Sequence, residues 1–153
     1  YSCLLLTAHF VHLNGRHLWL NLAGLVLVMM FFGRYCVVAL WLWVILISAM
    51  AVSLGLFWLN DDIYWYVGLS GVLHGLFVVG VWYEYQHYAK SGALLILLMT
   101  AKLIWEQVSG ALPGSEAMTG GHVVVDAHLY GAVGGLLFLL LHQVVHIYNR
   151  QQN

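Results

Sequence analysis

Long stretches without any charged residue constrain the fold of this chain more than any other feature. A helix needs about 20 apolar residues to cross a bilayer. The sequence has four charge-free stretches of about this length, and a fifth that is interrupted by Lys102 and Glu106. Only 7% of the 153 residues are charged, against roughly 25% in a soluble domain. We therefore predict an all-α, polytopic membrane helix bundle in a single domain, residues 1–153. The five predicted spans are residues 17–33, 37–58, 70–88, 91–109 and 127–148.

The few charged residues exclude one class of protein and orient the predicted bundle across the membrane. A net charge of −1 without any basic run argues against a nucleic-acid-binding protein. Arg34, Lys90 and Arg150 fall on one side of the predicted bundle, which should be cytoplasmic, whereas the other side carries a single arginine. Cys3 and Cys36 are predicted on opposite sides, so we expect no disulfide between them.

Ser70 is the candidate nucleophile, at the predicted start of the third span. It stands in Gly68-Leu69-Ser70-Gly71, where Gly68 allows a sharp entry into the helix and a close backbone approach. A serine hydroxyl needs a base to take its proton. A helix N-terminus also offers free N–H groups to a developing oxyanion. The alternative is that Ser70 is a plain helix N-cap.

His128 is the candidate base, since it begins the last span at the same predicted depth as Ser70. Ionisable residues inside a membrane are expensive and usually functional. Both spans carry glycines at a four-residue spacing, which lets two helices pack closely and would bring Ser70 and His128 within reach. The alternative is an interfacial histidine beside glycines that serve packing only. The glycine pairs are Gly71 with Gly75, and Gly131 with Gly135.

Two further polar positions fit a supporting role. His17 and Asn21 lie four residues apart, hence on one helix face, and both can donate hydrogen bonds to an oxyanion. Their alternative role is an ordinary polar pair that bonds a neighbouring helix. His74 follows Ser70 by one turn, and we favour a supporting contact with His128 over a second base or an internal hydrogen-bond partner.

The remaining ionisable groups have plainer interpretations. Lys102 and Glu106, at i and i+4, are predicted to form a self-neutralised pair facing the bundle interior. Asp126 is interpreted as a solvated N-cap, although it could orient His128 from two residues away. Glu84 is predicted to lie at the cytoplasmic interface.

Two segments are predicted to lie at the outer interface. Residues 1–16 should form a loop in which His9 and His12 meet water and Phe10 meets lipid. Residues 64–66, Tyr-Trp-Tyr, are typical of an aromatic belt.

Three motifs, taken in order, resemble those of the rhomboid intramembrane serine proteases. They are HxxxN at residues 17–21, GxSG at 68–71 and AHxxGxxxG at 127–135. The resemblance implies a six-helix bundle with a water-accessible cavity open to the outside, and the family's first helix is then expected upstream of Tyr1.

The resemblance also implies roles for individual residues. Ser70 would be the nucleophile and His128 the general base. His17, Asn21 and the backbone N–H of Ser70 would form the oxyanion hole, and His12 matches another family histidine in the first loop. No cofactor or metal is expected.

The forms HLWLNLAG, VGLSGVLHG and VDAHLYGAVGG are similar to those of one subgroup, the rhombosortases. Many rhomboids have a tyrosine at the position of His74. The subgroup implies a bacterial inner-membrane enzyme whose active site opens to the periplasm. Its partners would be lipid and single-pass proteins with a Gly-Gly motif before a C-terminal anchor. Cleavage would proceed through an acyl-enzyme, with release by water or by transfer to an amine.

Three other hypotheses compete with this one. A general rhomboid protease would cut a different single-pass substrate. A non-enzymatic haem or metal protein would use the nine histidines, with His17, His74 and His128 as the predicted cluster. An inactive rhomboid-like binding protein is disfavoured by the presence of both Ser70 and His128.

Overall fold

The helical architecture follows the predicted spans closely. The structure is a computed structural model in which we describe residues 4–152, with the side chains of residues 4, 5, 146 and 150–152 set aside. Cys3 therefore lies outside the described residues. Within this range the chain forms α-helices and short 3₁₀ turns and no strand. The helices are α1 (Leu4–Thr7), α2 (Gly15–Phe32), α3 (Val38–Leu59), α4 (Ser70–His87), α5 (Ala89–Ser109), α6 (Ser115–Thr119) and α7 (Val125–Gln152).

The prediction of a polytopic helical membrane bundle is confirmed, with one difference in the number of apolar spans. Among the described residues, α2, α3, α5 and α7 are long and apolar enough to cross a membrane. The third predicted span, α4, is a helix of 18 residues but is not among them. It contacts α2, α3, α5 and α7, so most of its surface meets protein. A helix enclosed in this way needs less apolar surface than one that faces lipid.

The glycine pairs lie where α4 and α7 come into backbone contact. A Cβ atom added to Gly135 would stand 2.5 Å from the carbonyl oxygen of Gly75. One added to Gly131 would overlap the carbonyl oxygen of Gly71. The two helices therefore approach more closely than any side chain would allow, and this fixes the ends that carry Ser70 and His128.

The outer segments differ from their prediction in two places. His9 does not meet water, because its side chain is fully buried and its Nε2 lies 3.1 Å from the carbonyl oxygen of Ala49. Phe10 is exposed, as expected. Tyr64 and Trp65 are also exposed, but Tyr66 turns inward and is no part of an aromatic belt. Its buried hydroxyl finds partners that solvent would otherwise supply.

At the opposite end of the bundle, Glu84 ties three elements together. Its carboxylate accepts hydrogen bonds from Tyr35, in the 3₁₀ turn that follows α2, and from Ser91 on α5. Arg34 adds an exposed ion pair at 3.4 Å. Glu84 is thus more than the solvated interfacial residue that we expected. Cys36 beside this cluster is a free thiol.

Candidate active site

The predicted polar residues line a single cavity. It has a volume of about 730 Å³ and lies at the N-terminal end of α4. Residues from five helices (α2, α4, α5, α6 and α7) line it, together with the loops before α4 and on both sides of α6. The predicted residues among them are His17, Asn21, Ser70, His74 and His128.

Ser70 stands at the very start of α4. The chain enters through Gly68, whose φ of +119° is a conformation that L side chains rarely adopt. A Cβ atom there would also meet the His17 ring at 2.8 Å. Leu69 occupies the N-cap position, so the alternative assignment of Ser70 as the cap is wrong. As the first helical residue, Ser70 has a backbone N–H without an intrahelical acceptor.

Ser70 and His128 are within hydrogen-bond reach. The Oγ of Ser70 lies 3.2 Å from Nε2 of His128. His128 is 6% exposed, so its ring is nearly sealed from solvent. Its other ring nitrogen, Nδ1, lies 3.0 Å from Oε2 of Glu106. Because a carboxylate can only accept, Nδ1 carries the proton and Nε2 is free to accept from the serine.

His74 makes both of the supporting contacts considered from the sequence. Its ring stacks on that of His128, with the centroids 4.2 Å apart and the planes 15° from parallel. Its Nδ1–H donates to the carbonyl oxygen of Ser70 at 2.7 Å, and its Nε2 lies 2.9 Å from Nζ of Lys102. With both ring nitrogens engaged, His74 has none left for the Ser70 hydroxyl. The geometry therefore disfavours His74 as a second base.

The pair of Lys102 and Glu106 faces the interior, as predicted, but it is not self-contained. The Nζ and Oε2 atoms are 2.6 Å apart, and the carboxylate side chain is only 3% exposed. The same Oε2 accepts from His128 on α7. Sequence reasoning missed this contact, because the i, i+4 pairing already accounted for both charges. Asp126 is not the solvated N-cap that we predicted: it is the second residue of α7, and its carboxylate accepts from Asn60 at 2.7 Å instead of orienting His128.

His17 and Asn21 form a local pair at the cavity wall. The side-chain N–H of Asn21 donates to the carbonyl oxygen of His17 at 3.1 Å, and the two residues are 4% and 8% exposed, respectively. The Asn21 amide keeps a second hydrogen for another acceptor. Asn14 caps α2 by accepting from the backbone N–H of His17 at 3.0 Å. His12 does not line the cavity, but its ring packs edge-on against His17, with the centroids 5.1 Å apart.

Tyr66 is a second residue that sequence reasoning missed. Its hydroxyl donates to the carbonyl oxygen of Gly68 at 2.9 Å and accepts from the N–H of Gly71 at 3.4 Å. Burial raises the pKa of Tyr66, which keeps the hydroxyl protonated as a donor. The two bonds clamp the loop on both sides of Ser70. The only sequence signal for this role of Tyr66 was its position two residues before the GxSG motif.

Three ligand-type atoms lie close enough together to raise the question of a metal. The candidate atoms of His74, Glu106 and His128 fall within 4.8 Å of one another. The Lys102 ammonium, however, bonds both His74 and Glu106. A metal ion would have to displace this cation and break the bonds of His128. His17, a member of the predicted metal cluster, is not in this group. The residues present therefore fit acid–base chemistry better than a metal centre.

A second, more apolar cavity adjoins the first. It has a volume of about 420 Å³ and lies between α2, α4 and α5. Leu73, His74 and Lys102 line both cavities. The remaining wall is formed by apolar side chains and a glycine: Gly24, Leu27, Val28, Phe31, Phe32, Phe77, Leu98 and Met99.

Comparison with known proteins assigns the family. The Rhomboid domain profile matches residues 3–143, nearly the whole chain. Searches of curated proteins and of solved structures gave no significant match. The match includes all three polar motifs and the helices that carry them. The chain therefore belongs to the rhomboid family, whose members are intramembrane serine proteases.

Proposed function

We propose that this protein cleaves peptide bonds by a Ser70–His128 dyad. The observation that carries the proposal is the 3.2 Å separation between Ser70 Oγ and His128 Nε2, inside a cavity of a membrane domain. His128 would take the hydroxyl proton as Oγ bonds to the scissile carbonyl carbon. It would then return the proton to the departing amine as the C–N bond breaks, leaving an acyl-enzyme on Ser70. Attack by water would regenerate the serine.

The oxyanion would be stabilised by donors that face the same cavity. The backbone N–H of Ser70 is free of intrahelical bonding, and α4 presents its positive dipole end there. The second hydrogen of the Asn21 amide and the His17 ring are the proposed side-chain donors. Each well-placed donor of this kind contributes about 10²–10³-fold in other serine proteases.

We further propose a substrate with a Gly-Gly motif before a C-terminal anchor, as in the rhombosortases. The apolar second cavity would hold the anchor helix, since it is lined by Leu, Phe and Met side chains from three helices. A Gly-Gly pair unwinds easily, because glycine loses the most conformational freedom in a helix. An unwound segment can present its peptide bond to Ser70, which a regular helix would hide.

The proposed setting is a bacterial inner membrane, with the cavity open to the periplasm. Arg34 and Lys90 lie at the end of the bundle opposite Ser70, where cytoplasmic residues are expected. Asp61 and Asp62 lie at the same end as the cavity.

The proposed dyad is tested by comparing covalent labelling and cleavage in variants of Ser70 and His128 with those in variants of a serine and a histidine outside the cavity. Ser70→Ala and His128→Ala should abolish labelling by a fluorophosphonate probe and cleavage of a Gly-Gly-tailed membrane substrate. Ser109→Ala, on the exposed end of α5, and His142→Ala, near the far end of α7, are the controls and should retain both. Full activity of Ser70→Ala in membranes would contradict the proposal.

Substrate specificity is tested by changing the substrate alone. Replacing its Gly-Gly by Val-Val should stop cleavage by the wild-type protein. Equal cleavage of both substrates would instead support a general rhomboid protease. Mass spectrometry of the released product distinguishes a free carboxylate, left by water, from an amide, left by transfer to an amine.

A further inference from the structure

Five polar side chains form a closed ring across α4, α5 and α7. Ser70 bonds His128, His128 bonds Glu106, and Glu106 bonds Lys102. Lys102 then bonds His74, which returns to the backbone carbonyl of Ser70. Every link is between 2.6 and 3.2 Å. A dyad needs only the first link, so the rest of the ring requires its own explanation.

The ring assigns every proton without conflict. The Ser70 carbonyl and the Glu106 carboxylate can only accept, so His74 and His128 each carry the proton on Nδ1. Nε2 of His74 is then an acceptor for the Lys102 ammonium, and Nε2 of His128 is an acceptor for the Ser70 hydroxyl. His74 is thereby kept neutral where it stacks on His128, and it adds no positive charge beside the base.

A buried carboxylate is costly, and pairing with Lys102 alone does not account for the second bond that Glu106 makes to His128. Glu106 is 3% exposed, and Gly92 is the other buried residue of α5. Its single atom Oε2 serves both Lys102 and His128. A carboxylate on Nδ1 holds a catalytic imidazole in the useful tautomer and stabilises the imidazolium that forms during attack.

We propose that Glu106 is the third member of the catalytic unit, a positioning residue that orients the His128 ring and stabilises the imidazolium that forms during attack. Lys102, on the other side of Glu106, partly offsets the negative charge that His128 experiences. The proposal rests on the protease function proposed above. Glu106 acts through His128 and does not touch the substrate. Lys102 balances the carboxylate and fixes His74, so the two members of one ion pair have opposite electrostatic effects on the base.

The ionisable groups around His128 are few, which makes the effect measurable. Among the described residues His74 faces it from α4, and Glu106, with Lys102 behind it, faces it from α5. The neighbouring helix α3 contains no ionisable side chain. On α7 itself, Asp126 is bonded to Asn60.

The test is the pH profile of Ser70 labelling by a fluorophosphonate probe, with the full chain in lipid nanodiscs. Glu106→Gln keeps an acceptor oxygen but loses the charge. Its maximal labelling rate should fall at least about tenfold, within the ~10⁴-fold loss of a triad Asp→Asn change. The acid limb of its profile should move to lower pH, because the imidazolium loses its counter-charge. Lys102→Met should move the acid limb to higher pH.

Two further variants make the result decisive. Glu106→Asp keeps the charge, so its acid limb should stay near that of the wild type, and this variant also serves if Glu106→Gln does not fold. Asp61→Asn removes an exposed carboxylate outside the ring and should label like the wild type. Loss of folding stability alone would lower the labelled fraction of both ring variants without moving their acid limbs in opposite directions.

The possible outcomes distinguish failure of this proposal from failure of the proposed protease function. If the wild-type protein shows no labelling that depends on Ser70, the protease function fails first. If the wild type labels at Ser70 and Glu106→Gln has the same rate and profile, Glu106 is not part of the catalytic unit. Shifts of Glu106→Gln and Lys102→Met in the same direction would overturn the charge assignment.

Discussion

Gly135→Ala tests whether the backbone contact between α4 and α7 sets the distance between Ser70 and His128. The added Cβ would stand 2.5 Å from the carbonyl oxygen of Gly75, whereas ordinary contact begins near 3.4 Å. The neighbour is backbone and cannot rotate away, so the helices must separate by about 0.9 Å there. Transmitted fully along α7, this would stretch the 3.2 Å bond of the dyad to about 4.1 Å, beyond hydrogen-bond range.

The expected loss of activity follows from this displacement. A misplacement of about 1 Å costs up to ~10²-fold in rate, equivalent to about 2.7 kcal/mol. Because the two turns between Gly135 and the dyad absorb part of the shift, we expect a 10- to 100-fold fall in the labelling rate. Overpacking should also lower the stability by about 1–3 kcal/mol. Thermal unfolding in detergent and the labelling rate measure these two effects separately.

The control is a glycine without a close neighbour. Gly33→Ala would place its Cβ 3.9 Å from Met29, an ordinary contact, and should leave the labelling rate unchanged. Gly131→Ala, whose Cβ would overlap the backbone of Gly71 nearer the dyad, should be more severe than Gly135→Ala. A folded Gly135→Ala protein that labels at the wild-type rate would refute the reasoning.

Three further variants probe residues that hold the loops and helix ends around the cavity. Gly68→Ala should abolish labelling, because φ is +119° and the new Cβ would meet the His17 ring at 2.8 Å; a wild-type labelling rate would contradict this. Tyr66→Phe removes the hydroxyl that bridges Gly68 and Gly71. We expect a fall of about 5- to 160-fold in kcat, from two hydrogen bonds of roughly 0.5–1.5 kcal/mol each, with KM little changed in a cleavage assay. Asn14→Ala removes the cap of α2 and should lower stability by about 1 kcal/mol, seen as a lower Tm, while Asn14→Ser should restore most of it.

The bundle and the proximity of Ser70 and His128 were predictable, because both rest on short patterns. Apolar runs of bilayer length predict the spans, and glycines at four-residue spacing on two spans predict their close approach. Once α4 and α7 are in contact, Ser70 and His128 must lie near each other. None of these inferences requires knowing which face any other helix turns toward the interior.

The contacts that the sequence did not reveal depend on which face of a helix or loop turns inward. Glu106 reaches His128 only because α5 turns this side of its surface toward α7, and the Lys102 pair offered a complete local explanation of its charge. Tyr64 and Tyr66 lie in the same loop, and only the path of the loop decides that Tyr66 points inward whereas Tyr64 is exposed. His9 is buried because the short helix α1 packs against α3. These outcomes depend on packing at long sequence separation, which no local pattern encodes.

The enclosure of α4 has a consequence for how the protein enters the membrane. Its ends carry Ser70 and His74 on one side and Glu84 and His87 on the other, and it lacks the apolarity of the other four long helices. Such a segment partitions poorly into lipid by itself. Its principal neighbour, α7, is synthesised about 40 residues later. We therefore expect nascent α4 to be held by α2, α3 and α5, or by the insertion machinery, until α7 emerges, so that membrane integration and assembly of the cavity are completed in the same late step.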